Sequence, residues 1–272
     1  MKHATRNIPR ALAALLAAAV LAAPAVSAQE ADTVLRDFLA TGDYVLKVDG
    51  QVQPSAQVYL SDRVPGILLV ASALPEPTLL LPREGTVNTV SFMKLLKRGD
   101  GSIDLLADTE VVPKGRFRLE GQAVHFAVAG ASASLEPRPY LLGRQSLSSM
   151  LGYSPEYRRK ADAYRPDATA LATLKSTAKP VRVRVYFGSW CPHCKEHVPY
   201  LLKVAEQLRG SKVSFEFYGL PQGFGNEPMA KKDDVNSVPT AIVYVDGKEA
   251  GRVGSGDWVK PERRIRDILA SS

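Results

Sequence analysis

The stretch Val181–Pro199 reads VRVRVYFGSWCPHCKEHVP, and its two halves follow different periods. Val181–Phe187 is rich in β-branched and aromatic residues, which predicts a strand. Gly188-Ser189 is a break. Beyond it Val198, Leu201, Leu202, Ala205 and Leu208 fall at helical spacing, so a helix is expected over Cys191–Arg209. Cys191 and Cys194 thus sit where a strand hands over to a helix N-terminus. Pro192 suits the first turn of that helix, where no intrahelical donor is needed.

This placement has chemical consequences. Unpaired backbone N–H groups and the positive end of the helix dipole stabilise an anion at a helix N-terminus. Here the anion would be the Cys191 thiolate, the nucleophile of disulfide exchange. His193, inside the dithiol ring, adds a donor; the alternative for it is a solvated helix-start residue. Cys191, on the exposed side, forms the mixed disulfide, and Cys194, one turn inward, resolves it.

Cys191 and Cys194 are the only cysteines in 272 residues. A bridge between residues this close constrains little of the unfolded chain, so a purely structural disulfide has small value. A zinc site would need two further ligands, and His193, His197 and His125 are the histidines available outside the N-terminal segment. Covalent haem attachment needs C-x-x-C-H, and residue 195 is Lys. Redox chemistry is the better account, and it requires no bound cofactor. No metal is expected.

YFGSWCPHCKEHVP resembles the active-site segment of the thioredoxin superfamily. Trp190 before the first cysteine, Lys195 after the second and Pro199 in the helix all match that pattern, while the central Pro-His is the dipeptide of DsbA-type oxidases. Downstream, VNSVPTAIVY resembles the segment carrying the family's cis-proline, which maps onto Pro239. The resemblance implies that Pro239 faces the dithiol and that Val238 pairs with the substrate backbone, with Trp190 and Pro192 also at the substrate surface. Val245–Lys248 resembles the last turn and Pro261–Ala270 the closing helix. The resemblance covers about 165–272. Only 47 residues separate Cys191 from Pro239, which leaves no room for the helical insertion of DsbA. One position departs from the pattern: the family's buried acid, six residues before the first cysteine, is replaced by Val185. Glu216 is a candidate substitute; a solvent-facing acid in an alternating strand over Val213–Tyr218 is the other reading.

Residues 1–28 combine Lys2, Arg6 and Arg10 with an apolar run from Ala11 to Ala23, then Pro24 and the small-x-small triplet ending at Ala28. This is the pattern of a secretory signal peptide, too short to span a bilayer, and it predicts export, with a periplasmic location. Formal charge is +7, part of it in this leader, and residues 29–160 are balanced. The remainder is only mildly basic, which argues against a nucleic-acid binder.

Residues 29–145 show short alternating or apolar runs at Tyr44–Val48, Gln57–Leu60, Ile67–Ala71, Val87–Leu96, Ser102–Leu106, Arg116–Leu119 and Val124–Val128. Asp49-Gly50, Asp100-Gly101 and Glu120-Gly121 punctuate them. A mostly antiparallel β domain, barrel or sandwich, is expected, preceded by a short helix at Ala31–Ala40. Leu147–Ala170 reads as helical in pieces, interrupted by Pro155 and Pro166; residues 146–164 are expected to be a helical linker and 165–272 an α/β thioredoxin-like domain. The function expected is an exported thiol–disulfide oxidoreductase. Its partners would be cysteine-containing secreted proteins and a membrane or soluble redox partner. The alternative is a non-enzymatic binding module, a chaperone or copper-assembly factor.

Overall fold

The computed structural model describes residues 35–61, 63 and 65–272. The predicted signal peptide lies outside the described residues. Among those residues no helix is long and apolar enough to cross a membrane.

The first domain is a sandwich of two antiparallel sheets. One sheet has six strands in the order Leu39–Thr41, Gln57–Ser61, Gly66–Val70, Thr78–Leu81, Thr86–Thr89 and Val112–Arg116. The other has five, in the order Arg118–Glu120, Ala123–Val128, Ala131–Pro137, Tyr44–Val48 and Gln51–Val52. Strand residues alternate between faces, so adjacent leucines serve different cores. Leu69 and Leu80 join Leu46, Phe126 and Leu135 between the sheets. Leu68 and Leu79 join Phe38, Tyr59, Ile103 and Leu105 on the opposite face, where the hairpin Leu95–Lys97/Ile103–Leu105 covers them. Burial on both faces explains the unbroken apolar runs of these two strands.

Three expectations for this half need correction. The helix over Ala31–Ala40 is absent from its described part: Phe38 bridges to Ile103 and Leu39–Thr41 is a strand paired with Val58–Leu60. Residues 31–34 lie outside the described residues. The run Val87–Leu96 breaks after Thr89, because the Ser91 side chain caps a 3₁₀ turn at Phe92–Lys94. Arg116–Leu119 is split between two strands in different sheets.

The second domain begins before the expected boundary. Its elements are β1 (Gly143–Gln145), α1 (Leu147–Gly152), α2 (Pro155–Ala163), α3 (Ala168–Ser176), β2 (Val181–Phe187), α4 (Pro192–Gln207), β3 (Val213–Gly219), α5 (Pro228–Lys232), β4 (Thr240–Val245), β5 (Lys248–Val253) and α6 (Pro261–Ala270). The sheet order is β1-β3-β2-β4-β5, with β2 and β3 parallel and the other pairs antiparallel. Residues 146–164, expected to be a linker, are helical but belong to this domain. Met150, Leu151, Tyr157 and Ala161 are buried in one cluster with Val183, Val185, Phe187, Cys194, Val198 and Leu202. The helical stretch breaks just before Pro155, as expected, and Pro155 occupies the first turn of α2, capped by Ser154 Oγ accepting from Tyr157 N–H at 3.2 Å.

The domains meet at a strap, residues 137–142. Arg138 donates to the carbonyls of Gly42 (2.7 Å), Tyr44 (3.0 Å) and Tyr153 (2.7 Å), so one guanidinium ties the first domain to the end of α1. Leu141 packs so closely on β3 that a Cβ at Gly219 would collide with its backbone carbonyl. Only glycine fits there.

Candidate functional site

The site forms because β2 ends inside the core and the chain must turn sharply into α4. Cys191 is the residue that caps α4, with extended backbone angles, and its own side chain makes no capping bond. Its N–H donates to Gly188 O at 2.9 Å, and its carbonyl accepts from Lys195 N–H at 3.0 Å. Trp190 lies over the turn: its Nε1 donates to Leu220 O at 2.8 Å, and a Cβ at Gly188 would sit 2.5 Å from its ring. Gly188 and Trp190 therefore fix the turn together.

The two sulfurs occupy different environments. Cys191 is 7% exposed and Cys194 fully buried. Cys191 Sγ donates to the carbonyl of Val238 at 3.7 Å. Gly188 N–H donates to Cys194 Sγ at 3.3 Å. Burial pushes the Cys194 thiol well above its usual range, and the Gly188 bond offsets only part of that. Both cysteines are free thiols. The outer sulfur can meet a partner molecule, while the inner one is held protonated in an apolar pocket. The surface of Cys191 is bounded by the Val238–Pro239 peptide, which is cis.

The residues singled out from sequence are placed as follows. Cys191, Cys194, Val238 and Pro239 converge, although the start of α4 and the segment just before β4 supply them from distant parts of the chain. Trp190 is half-buried against the core. Pro192 and His193 are exposed in the first turn of α4, and among the described residues His193 makes no hydrogen bond to either sulfur. Val185 is fully buried in the dithiol cluster, so that pocket holds no carboxylate at this position. Glu216 is no substitute for it. It stands opposite Arg184 in the β2–β3 register and pairs with Arg184 at 2.8 Å, on the face of the sheet away from Val185. There Arg184 also meets Asp233 (2.6 Å), which accepts from Tyr186 as well (2.7 Å).

Other residues around the site carried little sequence signal. Pro199 lacks an N–H, so the Lys195 carbonyl loses its partner within α4. Lys160 of α2 fills that gap, with Nζ 3.3 Å from the Lys195 carbonyl while also pairing with Glu196 (2.7 Å) and Glu156 (3.0 Å). The Lys195 ammonium pairs with Asp43 of the first domain. Ser189, fully buried beside the turn, accepts from Leu141 N–H of the strap at 2.9 Å. Next to these contacts a cleft of about 770 Å³ opens between the domains, lined in part by Tyr44, Arg138, Tyr140, Tyr153, Trp190 and Lys195. Tyr157 and Tyr153 close the inner side of the dithiol cluster, their rings edge to face at 5.3 Å. The spacing of Tyr157, Ala161 and Tyr164 along one helix face was the available signal for the first of these.

Among the described residues, no three His, Cys, Asp or Glu side chains converge as a metal-binding group.

Residues 168–269 match the family model described as Thioredoxin. Thioredoxin-2 of Saccharomyces cerevisiae (strain ATCC 204508 / S288c) is 38% identical over 68 residues, which make up 25% of this chain and 61% of that protein. The chain thus spans less than two thirds of the length of this curated relative. Among solved structures, Fasciola hepatica thioredoxin aligns at a TM-score of 0.27 and 25% identity, covering 32% of this chain and 80% of that one. Chlamydomonas reinhardtii thioredoxin f2 aligns at 0.27 and 18% identity, covering 40% and 94%.

Proposed function

We propose, from the premise that the C-terminal domain belongs to the thioredoxin superfamily, that this protein is a thiol–disulfide oxidoreductase working through Cys191 and Cys194. The observation that carries the reading is the asymmetry of the pair. Cys191 caps the N-terminus of α4 and keeps 7% of its surface exposed, and Cys194 is fully buried beneath it. Cys191 is the less buried of the two sulfurs and stands at the start of α4, so this sulfur exchanges with a partner's sulfur. Cys194 is then the resolving thiol. In the reducing direction its sulfur bonds to Cys191, the client sulfur leaves with the electron pair and takes up a proton, and the dithiol ends as a disulfide. In the oxidising direction the same bonds form and break in reverse.

The clients in this reading are cysteine-containing secreted proteins, met after export to a periplasm. The leader pattern of residues 1–28 supports that location. A soluble or membrane redox partner returns the dithiol to its working state, and no cofactor or nucleic acid takes part. His193, Pro239, Val238, Trp190 and Pro192 form the surface around the reacting sulfur. The first domain, tied to the site by Arg138 and by the Lys195–Asp43 pair, holds one wall of the cleft beside it.

The test is exchange by the full chain between glutathione and a short peptide carrying one disulfide. Catalysis that disappears in Cys191→Ser supports the reading. Equal rates with and without the protein overturn it.

A further inference from the structure

Tyr157 lies on α2, before the residues that match the family model, and is 1% exposed. Its side chain is in the buried cluster that holds Cys191, Cys194 and Val185. Its hydroxyl is buried and, among the described residues, has no hydrogen-bond partner. Such a group is costly to bury, so an unpaired one calls for an explanation. The charged groups that act on it come from both packed elements: Cys194 and Cys191 from α4, and Tyr153 and Glu156 from its own side. Burial first, and then Cys194, push the phenol well above its usual range, which keeps it protonated and able only to donate or to accept as a neutral hydroxyl.

The dithiol has a matching deficit. Forming a thiolate at Cys194 places a charge in an apolar pocket where the position of the expected acid is Val185. Gly188 N–H donates to Cys194 Sγ and favours its thiolate, whereas the neighbouring Cys191 sulfur disfavours it. We propose that Tyr157 donates a hydrogen bond to Cys194 Sγ when that sulfur is a thiolate, and so assists the step in which the Cys191–Cys194 bond forms or breaks. This rests on the oxidoreductase reading and adds a residue to its chemistry. In the reducing direction the Cys194 proton is released as its sulfur attacks Cys191 Sγ. The bond from Cys191 to the client breaks, and the client sulfur leaves with the electron pair and gains a proton. In the oxidising direction the client thiolate attacks Cys191 and Cys194 leaves as the thiolate. Tyr157 keeps its own proton throughout, so atoms and electrons balance without an added reactant. A neutral phenol serves both directions because it stabilises the charge rather than removing the proton.

Tyr157→Phe in the full chain is the test. It removes only an unpaired hydroxyl, so thermal unfolding should stay at or above the wild-type midpoint. Two readouts are needed. The first is the titration of Cys194 in the reduced protein, followed by NMR of carbon-labelled cysteine; its midpoint should move up in the variant. The second is the decay of a mixed disulfide preformed between Cys191 and glutathione, which should slow about tenfold or more, the scale of a hydrogen bond to a charged group. Initial attack by Cys191, measured in the Cys194→Ala background, should be unchanged by Tyr157→Phe. An unmoved Cys194 titration together with wild-type decay overturns the proposal. A wild-type protein that forms no mixed disulfide at all sinks the oxidoreductase reading instead. The Cys194 titration still decides whether the Tyr157 hydroxyl acts on that sulfur.

Discussion

Cys191 Sγ and the carbonyl oxygen of Val238 lie 3.7 Å apart, although 47 residues separate them in the chain. The contact places the outer sulfur against the edge of the β4 segment. In the proposed exchange, a client sulfur bonded to Cys191 would bring its own backbone beside Val238. Cys194, buried behind the same turn, can reach Cys191 but no outside molecule.

That separation of roles predicts a trap. Cys194→Ala keeps the attacking sulfur and removes the resolving one, so mixed disulfides with cysteine-containing proteins should accumulate on non-reducing gels. Cys191→Ala should accumulate none. Equal trapping by both variants would mean that the buried sulfur reaches clients, contrary to its full burial.

His193 is exposed and bonds neither sulfur, so solvent screens its effect on the couple. His193→Ala should move the reduction potential by less than about 20 mV, the equivalent of roughly 1 kcal/mol for two electrons. Equilibration with glutathione measures it. A drop of more than about 45 mV would show that His193 contacts the thiolate more closely than the reduced structure has it.

Asp233 gives a prediction about acid stability. Burial alone would push its carboxyl up, but hydrogen bonds from Tyr186 and Arg184 outweigh this and hold it below the usual range. A carboxyl depressed by folding adds stability above its unfolded value, near 3.9, and that stability is lost as pH falls toward the folded value. Asp233→Asn should lower the unfolding free energy at neutral pH by about 1–3 kcal/mol, because it leaves Arg184 less well paired. The gap from wild type should narrow below about pH 4. Urea unfolding at neutral pH and at pH 3 checks both; a gap that does not change with pH would contradict the assignment.

Arg138 should matter for how the domains hold together. Its three carbonyl partners lie on both sides of the junction and are partly buried. Arg138→Met should cost about 2–4 kcal/mol through unpaired carbonyls. In calorimetry it should split or broaden the unfolding transition as the domains uncouple. A loss under about 0.5 kcal/mol would mean that water replaces the guanidinium without penalty.

The second domain was legible where local period and tertiary role agree. Val181–Phe187 and Pro261–Ala270 have the limits expected, the first from its β-branched and aromatic residues and the second from its resemblance to the family's closing helix. Thr78–Leu81 and Ala131–Pro137 were not foreseen. The first is apolar on both faces and the second is built from Ala and Ser, so neither shows a strong period. The extent of the domain was hidden for a different reason: α1 and α2 look like connectors until Met150 and Tyr157 are seen inside the core. The pairing of Lys195 with Asp43, 152 residues apart, leaves no local trace in the sequence. Val185 was legible as a missing acid, but nothing nearby in sequence pointed to Tyr157 facing the same pocket.

The most direct test of the central claim is a redox titration of the full chain against glutathione, with the state of Cys191 and Cys194 read by mass spectrometry after thiol alkylation. An exchange-active pair gives one reversible two-electron transition at a potential between about −270 and −120 mV. A pair that stays reduced throughout, or a disulfide that resists reduction below about −300 mV, would contradict the claim.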